Sequence, residues 1–359
     1  MAVFTPNSEQ SCRDKYLVYS IKGLYFPNPY ILFPRFLISA NLIRVSPRLV
    51  SVDPRFHEMK LVDVHCHLTD DDYTNLDEVI SRAKENLEAV VSVVVNPKNF
   101  EKAFEIQEKY RGFVYLAAGI HPIYVHKISE EEIAQTIEKI RVFCDKHYHT
   151  LEYRNKCFKI KGVISESGKY YHATVHGSIF RKRYGVVAIG ETGLDYYWVK
   201  DREGREKQKV LFEKQINLAK ELDLPLVAHI RAGKDEADVF GDAIGILEKN
   251  EAEKVLLHMF SSKKNLNRVL ENGWSISENA IAQSSKEHKR IIRTVPLECL
   301  MLETDSPYLV PEPEKSQGVK INEPALVQRV AERVAEVKEV PLEKVISQTT
   351  QNAKGFFNL

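Results

Sequence analysis

Eight short apolar runs, each followed by a stretch of helical periodicity, set the strongest limit on what this chain can fold into. The runs cover residues 60–67, 90–95, 113–121, 186–195, 226–231, 254–261, 274–279 and 300–308. They are rich in Val, Ile and Leu and nearly continuous in hydrophobicity, as strands buried on both faces of a parallel sheet are. Amphipathic segments at 75–88, 130–143, 205–222, 237–249 and 284–293 fall between them, and two more at 323–340 and 342–357 close the chain. Strands alternating with helices predict βαβ units. Eight such units predict an α/β fold of the (β/α)8, or TIM-barrel, class.

Such a barrel needs about 250 residues, or more with insertions, and the chain has 359. Two regions stand outside the repeat. Residues 1–58 carry Pro, aromatic and apolar residues without a period, and Met59 opens directly onto the first strand. They read as a poorly ordered N-terminal extension, as sequence upstream of a true start at Met59, or as a transit peptide poor in acids. The barrel is then expected over 59–359, with an insertion at about 145–184 that separates the third helix of the repeat from the fourth strand. Helix-to-strand connections lie on the N-terminal face, opposite the catalytic one, so this insertion is not expected to cover an active site. It contains Cys144, His147, His149, Cys157, His172 and His176 at or near its ends and within it. Their spacing is a poor match to a zinc knuckle, and a basic, aromatic surface excursion is the plainer reading.

The chemistry sits at the ends of the strands. His65 and His67 close the first run with one residue between them, so both side chains can share a face and point into the barrel mouth while Cys66 turns to the helices. Glu191, His229, His258 and Asp305 close the fourth, fifth, sixth and eighth runs. The catalytic face of a TIM barrel is built from these C-terminal ends. One such residue can be a satisfied core group. Five strand ends that each deliver His, Glu or Asp are hard to explain that way, because unpaired buried charge is costly. Four His, one Glu and one Asp suit Zn, Mn, Co or Ni and tolerate Mg at a carboxylate-rich position. Six ligands exceed one tetrahedral site and predict two divalent cations, with Glu191 as the bridge. Asp305 is the expected general base for a metal-activated water, and Glu191 and Asp305 together are the expected catalytic carboxylates.

Three more polar residues lie near the predicted mouth. His121, in Gly119-Ile120-His121-Pro122, is expected to bind substrate or to orient a ligand. Arg231 shares a face with His229 and can grip a phosphate through its planar fork or pair with a neighbouring acid. Asp195 can serve a turn, orient a ligand or take part in the reaction.

Composition narrows the partners. Hydrophobic residues make up 43% and charged residues 28% of the chain, as in an ordinary globular protein. No apolar run reaches the roughly 18 residues that span a membrane; the closest, 24–43, is broken by Pro27, Pro29, Pro34 and Arg35. No membrane partner is expected. Five scattered cysteines do not make a disulfide framework, which predicts a cytoplasmic protein. The net charge is +1, but residues 152–184 hold eight Lys/Arg against two acids. The barrel itself is therefore acidic, and a nucleic acid would have to be gripped locally, with the metals supplying positive charge.

The motifs Val62-Asp63-Val64-His65-Cys66-His67-Leu68, Gly119-Ile120-His121-Pro122, Ile189-Gly190-Glu191-Thr192-Gly193-Leu194-Asp195-Tyr196, Leu302-Glu303-Thr304-Asp305-Ser306-Pro307-Tyr308 and Asn322-Glu323-Pro324 resemble, in order and spacing, those of the TatD family of metal-dependent deoxyribonucleases. The resemblance runs from Met59 to the C-terminus. It implies a TIM barrel of the metallo-hydrolase type. It also implies one metal at His65, His67, Glu191 and Asp305, and a second at Glu191, His229 and His258. The implied activity is phosphodiester hydrolysis, as a 3′–5′ exonuclease on DNA; a D-aminoacyl-tRNA deacylase or another amidohydrolase-type ester or amide hydrolase is the alternative. Nucleic acid, DNA ends or tRNA, is the implied partner, and a monomer the expected state. The sixth strand departs from the pattern at Met259-Phe260-Ser261-Ser262, where the family often has a small thiol and a Gly.

Overall fold

In the computed structural model, which describes residues 60–146, 185–235 and 237–359, eight parallel strands run in sequence order around one sheet. The strands are β1 (Leu61–Cys66), β2 (Leu87–Val94), β3 (Val114–Ala118), β4 (Val186–Asp195), β5 (Leu226–Arg231), β6 (Val255–Leu257), β7 (Ser275–Glu278) and β8 (Leu300–Leu302). Between them lie α1 (Leu76–Asn86), α2 (Phe100–Lys109), α3 (Glu130–Lys146), α4 (Arg202–Glu221), α5 (Val239–Lys249), α6 (Leu266–Glu271) and α7 (Lys286–Thr294), and α8 (Val327–Lys338) and α9 (Leu342–Phe357) follow β8. The ring closes just beyond β8. Asp305 donates its N–H to His65 O at 2.9 Å, and His67 donates to Ser306 O at 2.7 Å. The expected TIM barrel is therefore present. Residues 1–58, most of the 145–184 insertion and its His/Cys group lie outside the described residues; Cys144, on α3, is buried in the core.

Alternation along the strands makes two cores. Val62, Val64, Val91, Val93, Tyr115, Val187, Val227, Leu256 and Met301 fill the barrel interior, and Phe357 and Ala353 of α9 join that cluster. Leu61, Val90, Val114, Leu116, Ile189, Leu226, Leu257 and Leu300 face outward into the layer beneath the helices. Each such side chain, fully buried, contributes about 1.5–3 kcal/mol of transfer free energy. Side-chain caps fix where helices start. Asn75, Asp201, Asp238 and Ser285 accept from the backbone N–H three residues on, at the starts of α1, α4, α5 and α7, which satisfies donors that have no intrahelical partner.

Several boundaries differ from the sequence reading. β2 begins at Leu87, not Val90, because α1 ends at Asn86 and hands over without a loop. β6 and β8 are regular for only three residues each, and the predicted runs to 261 and 308 continue as irregular backbone. Met259 and Asp305 sit there at φ +45° and +54°, and a left-handed residue ends a strand ladder. The last pair of helices starts at Val327 and not at 323, since Pro324–Leu326 forms a 3-10 turn first. Helices α2 and α6 were not singled out by periodicity; α6 is six residues long.

Candidate metal centre

β1 brings two histidines inward by breaking its own alternation. Val62 and Val64 belong to the interior, but Cys66, which strict alternation would also turn inward, belongs to the outer core. The register against β2 slips between Asp63 and Cys66. A slip of this kind re-aims a side chain. His65 is fully buried, stacked on His258 with ring centroids 4.0 Å apart, and its Nε2 lies 3.4 Å from Glu191 Oε2 and 3.7 Å from Asp305 Oδ1. His67 Nε2 lies 3.2 Å from Asp305 Oδ1.

β4 uses a second irregularity. Its register against β5 slips between Gly190 and Thr192, and Glu191 sits at the slip. Beyond Ile189 the strand pairs only with β5, which leaves Glu191 free of β3 and aimed at the mouth. Glycines flank it for steric reasons. Gly190 and Gly193 have φ of +150° and +142°. A Cβ on Gly193 would lie 2.1 Å from His229 O, and one on Gly190 would lie 2.5 Å from Val227 O.

Glu191 lies at the centre of the group. Its Oε1 is 2.6 Å from His229 Nδ1, 2.8 Å from His258 Nε2 and 3.5 Å from His121 Nε2, while its Oε2 faces His65. The two carboxylate oxygens thus address two different histidine sets. Ligands at about 2.0–2.2 Å from one cation stand roughly 3 Å apart, which is the spacing found here. The chemistry of the donors fits a cation as well. His65 is buried and neither of its ring nitrogens makes a hydrogen bond to the protein, a costly arrangement for a polar group with no other partner.

The remaining histidine nitrogens are held from behind. His258 Nδ1 faces Glu303 Oε1 at 3.3 Å. Glu303 is itself fully buried, accepting from Asn279 Nδ2 at 3.0 Å and from Ser277 Oγ. His229 Nε2 faces Asp195 Oδ2 at 3.1 Å, and Asp195 Oδ1 accepts from Trp198 N at 2.9 Å. Carboxylates placed behind a histidine fix its orientation and leave the other nitrogen for a metal. Asp195, with three roles open in the sequence, both orients His229 and closes a turn. Asp63 accepts from His65 N, Thr304 N and Thr304 Oγ1, tying β1 to the segment that carries Asp305. Burial pushes the Asp63 carboxyl up to about 8, against the pull of those hydrogen bonds.

Electrostatics sort the group into anionic carboxylates, two rings held neutral and three whose protonated form is favoured. Burial raises the Glu191 carboxyl, but His258, His121, His229 and His65 overcome it and hold it well below its ordinary range. Burial likewise raises Asp305, and His67, His65 and His258 bring it below the usual value. His65 is lowered by burial and by His258, and His121 by burial and His229. Burial lowers His258, His229 and His67 as well, but carboxylates outweigh it: Glu191 and Glu303 at His258, Glu191 and Asp195 at His229, and Asp305 at His67.

His121 sits differently from the others. Its Nδ1 accepts the Ile123 N–H at 3.2 Å, so the neutral ring carries its proton on Nε2. That nitrogen is a donor, which separates His121 from the rings that can offer a lone pair to a cation. Arg231 has no carboxylate partner among the described residues. Its guanidinium lies 4.4 Å from the Tyr197 ring centroid. Both residues line a cavity of about 1000 Å³ at the mouth, together with His67, Glu191, His229 and Asp305.

Sequence reasoning missed Glu303, Asp63 and two glutamines of α4. Gln208 bridges Asp195 N and O and also donates to Pro122 O, while Gln215 holds Ile120 and Thr192. The readable signal was two glutamines seven residues apart on the buried face of an amphipathic helix.

The family model described as TatD related DNase matches residues 62–358. An uncharacterized metal-dependent hydrolase, YabD of Bacillus subtilis, is 33% identical over 306 residues, covering 83% of this chain and 99% of its own. The human deoxyribonuclease TATDN3 is 32% identical over 303 residues, covering 83% and 94%. Among solved structures, the TatD homologue YJJV of Escherichia coli superposes with a TM-score of 0.64 at 22% identity, over 84% of this chain and 99% of that one.

Proposed function

The chain belongs to the TatD family of metal-dependent hydrolases, and from that premise we propose that it is a two-metal phosphodiesterase that removes nucleotides from the 3′ end of DNA. The observation that carries this reading is Glu191, whose two oxygens face separate histidine sets. His65, His67, Glu191 and Asp305 would hold one divalent cation, and Glu191, His229 and His258 the other. Zn, Mn and Mg are the candidates. When bound, such a pair activates water and neutralises charge on the phosphoryl oxygens.

The chain's own residues do the rest. Asp305 is ionised and borders the cavity, so it can take a proton from the attacking water. His121 stays neutral and donates from Nε2–H to a substrate oxygen. Arg231, with no acid to neutralise it among the described residues, grips a phosphate through its fork. The deoxyribonuclease named among the relatives supports a nucleic-acid substrate.

The test uses the full chain, 3′-labelled single-stranded DNA and added Zn, Mn or Mg. Release of mononucleotides is expected, abolished by EDTA and reduced at least about a hundredfold by Glu191→Ala, the scale on which removal of a transition-state electrostatic group acts. A protein that binds its cations, leaves DNA intact and hydrolyses D-aminoacyl-tRNA would contradict the proposal and assign an ester hydrolase instead.

A further inference from the structure

One wall of the mouth carries side chains that neither the cations nor the proton transfers use. Trp198 follows Asp195 on the turn after β4 and is 63% exposed, more than any other large hydrophobic residue among those described. Its ring meets Tyr197 edge to face, at 5.0 Å and 89°. Arg231 covers Tyr197 at 4.4 Å and reaches Trp198 at 6.0 Å. Trp198, Arg231 and the Glu191 group line the same cavity.

Trp198 is held in place on the surface. Its backbone N–H donates to Asp195 Oδ1 at 2.9 Å, and the other oxygen of Asp195 faces His229 Nε2 at 3.1 Å. These two contacts fix the backbone that carries the indole relative to the candidate metal centre. An exposed indole on this anchored backbone, beside a guanidinium with no carboxylate partner among the described residues, suits a ligand with a flat face and a negative charge. Nucleobases stack on aromatic and guanidinium planes, and the adjoining phosphate meets the cation. Within a duplex both faces of a base are covered and its edge is paired, so a base must leave the helix to reach such a surface.

We propose that Trp198, backed by Tyr197 and Arg231, is a stacking subsite for an unpaired nucleobase next to the scissile phosphodiester. This rests on the phosphodiesterase reading above.

The test compares the metal-loaded full chain with Trp198→Ala and Trp198→Phe. The substrates are a single-stranded oligonucleotide and the same oligonucleotide with its last two residues abasic. Loss of stacking on one base predicts a KM raised roughly 5- to 150-fold by Trp198→Ala on the first substrate, with kcat unchanged. Trp198→Phe should recover most of the loss. On the abasic substrate, wild type and Trp198→Ala should behave alike. An unchanged KM on the first substrate, or an equal loss on both, would overturn the subsite while leaving the phosphodiesterase standing. Wild-type protein that holds its cations and cleaves neither substrate would overturn both.

Discussion

Glu303 shows how much of the candidate site depends on residues outside the proposed ligand set. It is fully buried, receives hydrogen bonds from Asn279 and Ser277, and presents Oε1 to His258 Nδ1. Removing its charge while keeping its shape leaves His258 less well oriented and less basic. Glu303→Gln is expected to weaken cation affinity or activity by about 10- to 100-fold, in the range seen for groups behind metal ligands. Metal titration of the folded variant checks this, and an affinity equal to wild type would show that His258 needs no support. The six residues that carry the metal proposal were legible because each is a His, Glu or Asp after an apolar run. Glu303 sits in the same motif but was not legible as a partner, since nothing local says that its side chain turns to β6 and not to a metal. Asp63 was hidden for the same reason: its partner, Thr304, is 241 residues away.

The elements contribute their irregularities. The order and number of strands could be read from hydrophobicity, because a strand buried on both faces has to be apolar throughout. The slips in β1 and β4 could not, since no residue type announces them. The short regular lengths of β6 and β8 were equally hidden, because the positive φ falls on Met259 and Asp305, not on glycine. Gly193 is the exception, where sequence and geometry agree: at φ +142° a methyl group would meet His229 O. Gly193→Ala is expected to cost about 2 kcal/mol or more in stability, from backbone strain and overpacking together, and to shift His229. Chemical denaturation with and without cations measures both effects. A variant with unchanged midpoint and unchanged cation affinity would contradict the close-approach account.

At the scale of the molecule, the barrel gathers four carboxylates and five imidazoles from six strand ends into one buried cluster, so its behaviour depends on pH. His258, His229 and His67 are raised above their ordinary values in the metal-free protein. Such a group adds stability that is full below about pH 6.5, the unfolded value, and that fades as pH rises through the folded value. Cation binding must displace those protons. Cation affinity is therefore expected to rise with pH through neutrality, while the metal-free protein loses stability over the same interval. Calorimetric titration at pH 7 in buffers of different ionisation heat should show proton release on binding, which should diminish at higher pH. Heats independent of the buffer would contradict the assignment of these histidines.

The central claim is that one carboxylate, Glu191, joins two cations. The most direct measurement is the metal content per chain, by elemental analysis, of wild-type protein and of Glu191→Ala, both folded and equilibrated with Zn or Mn. Two equivalents in the wild type and at most one, weakly held, in the variant is the predicted result. A single equivalent in the wild type, or two retained without Glu191, would contradict it.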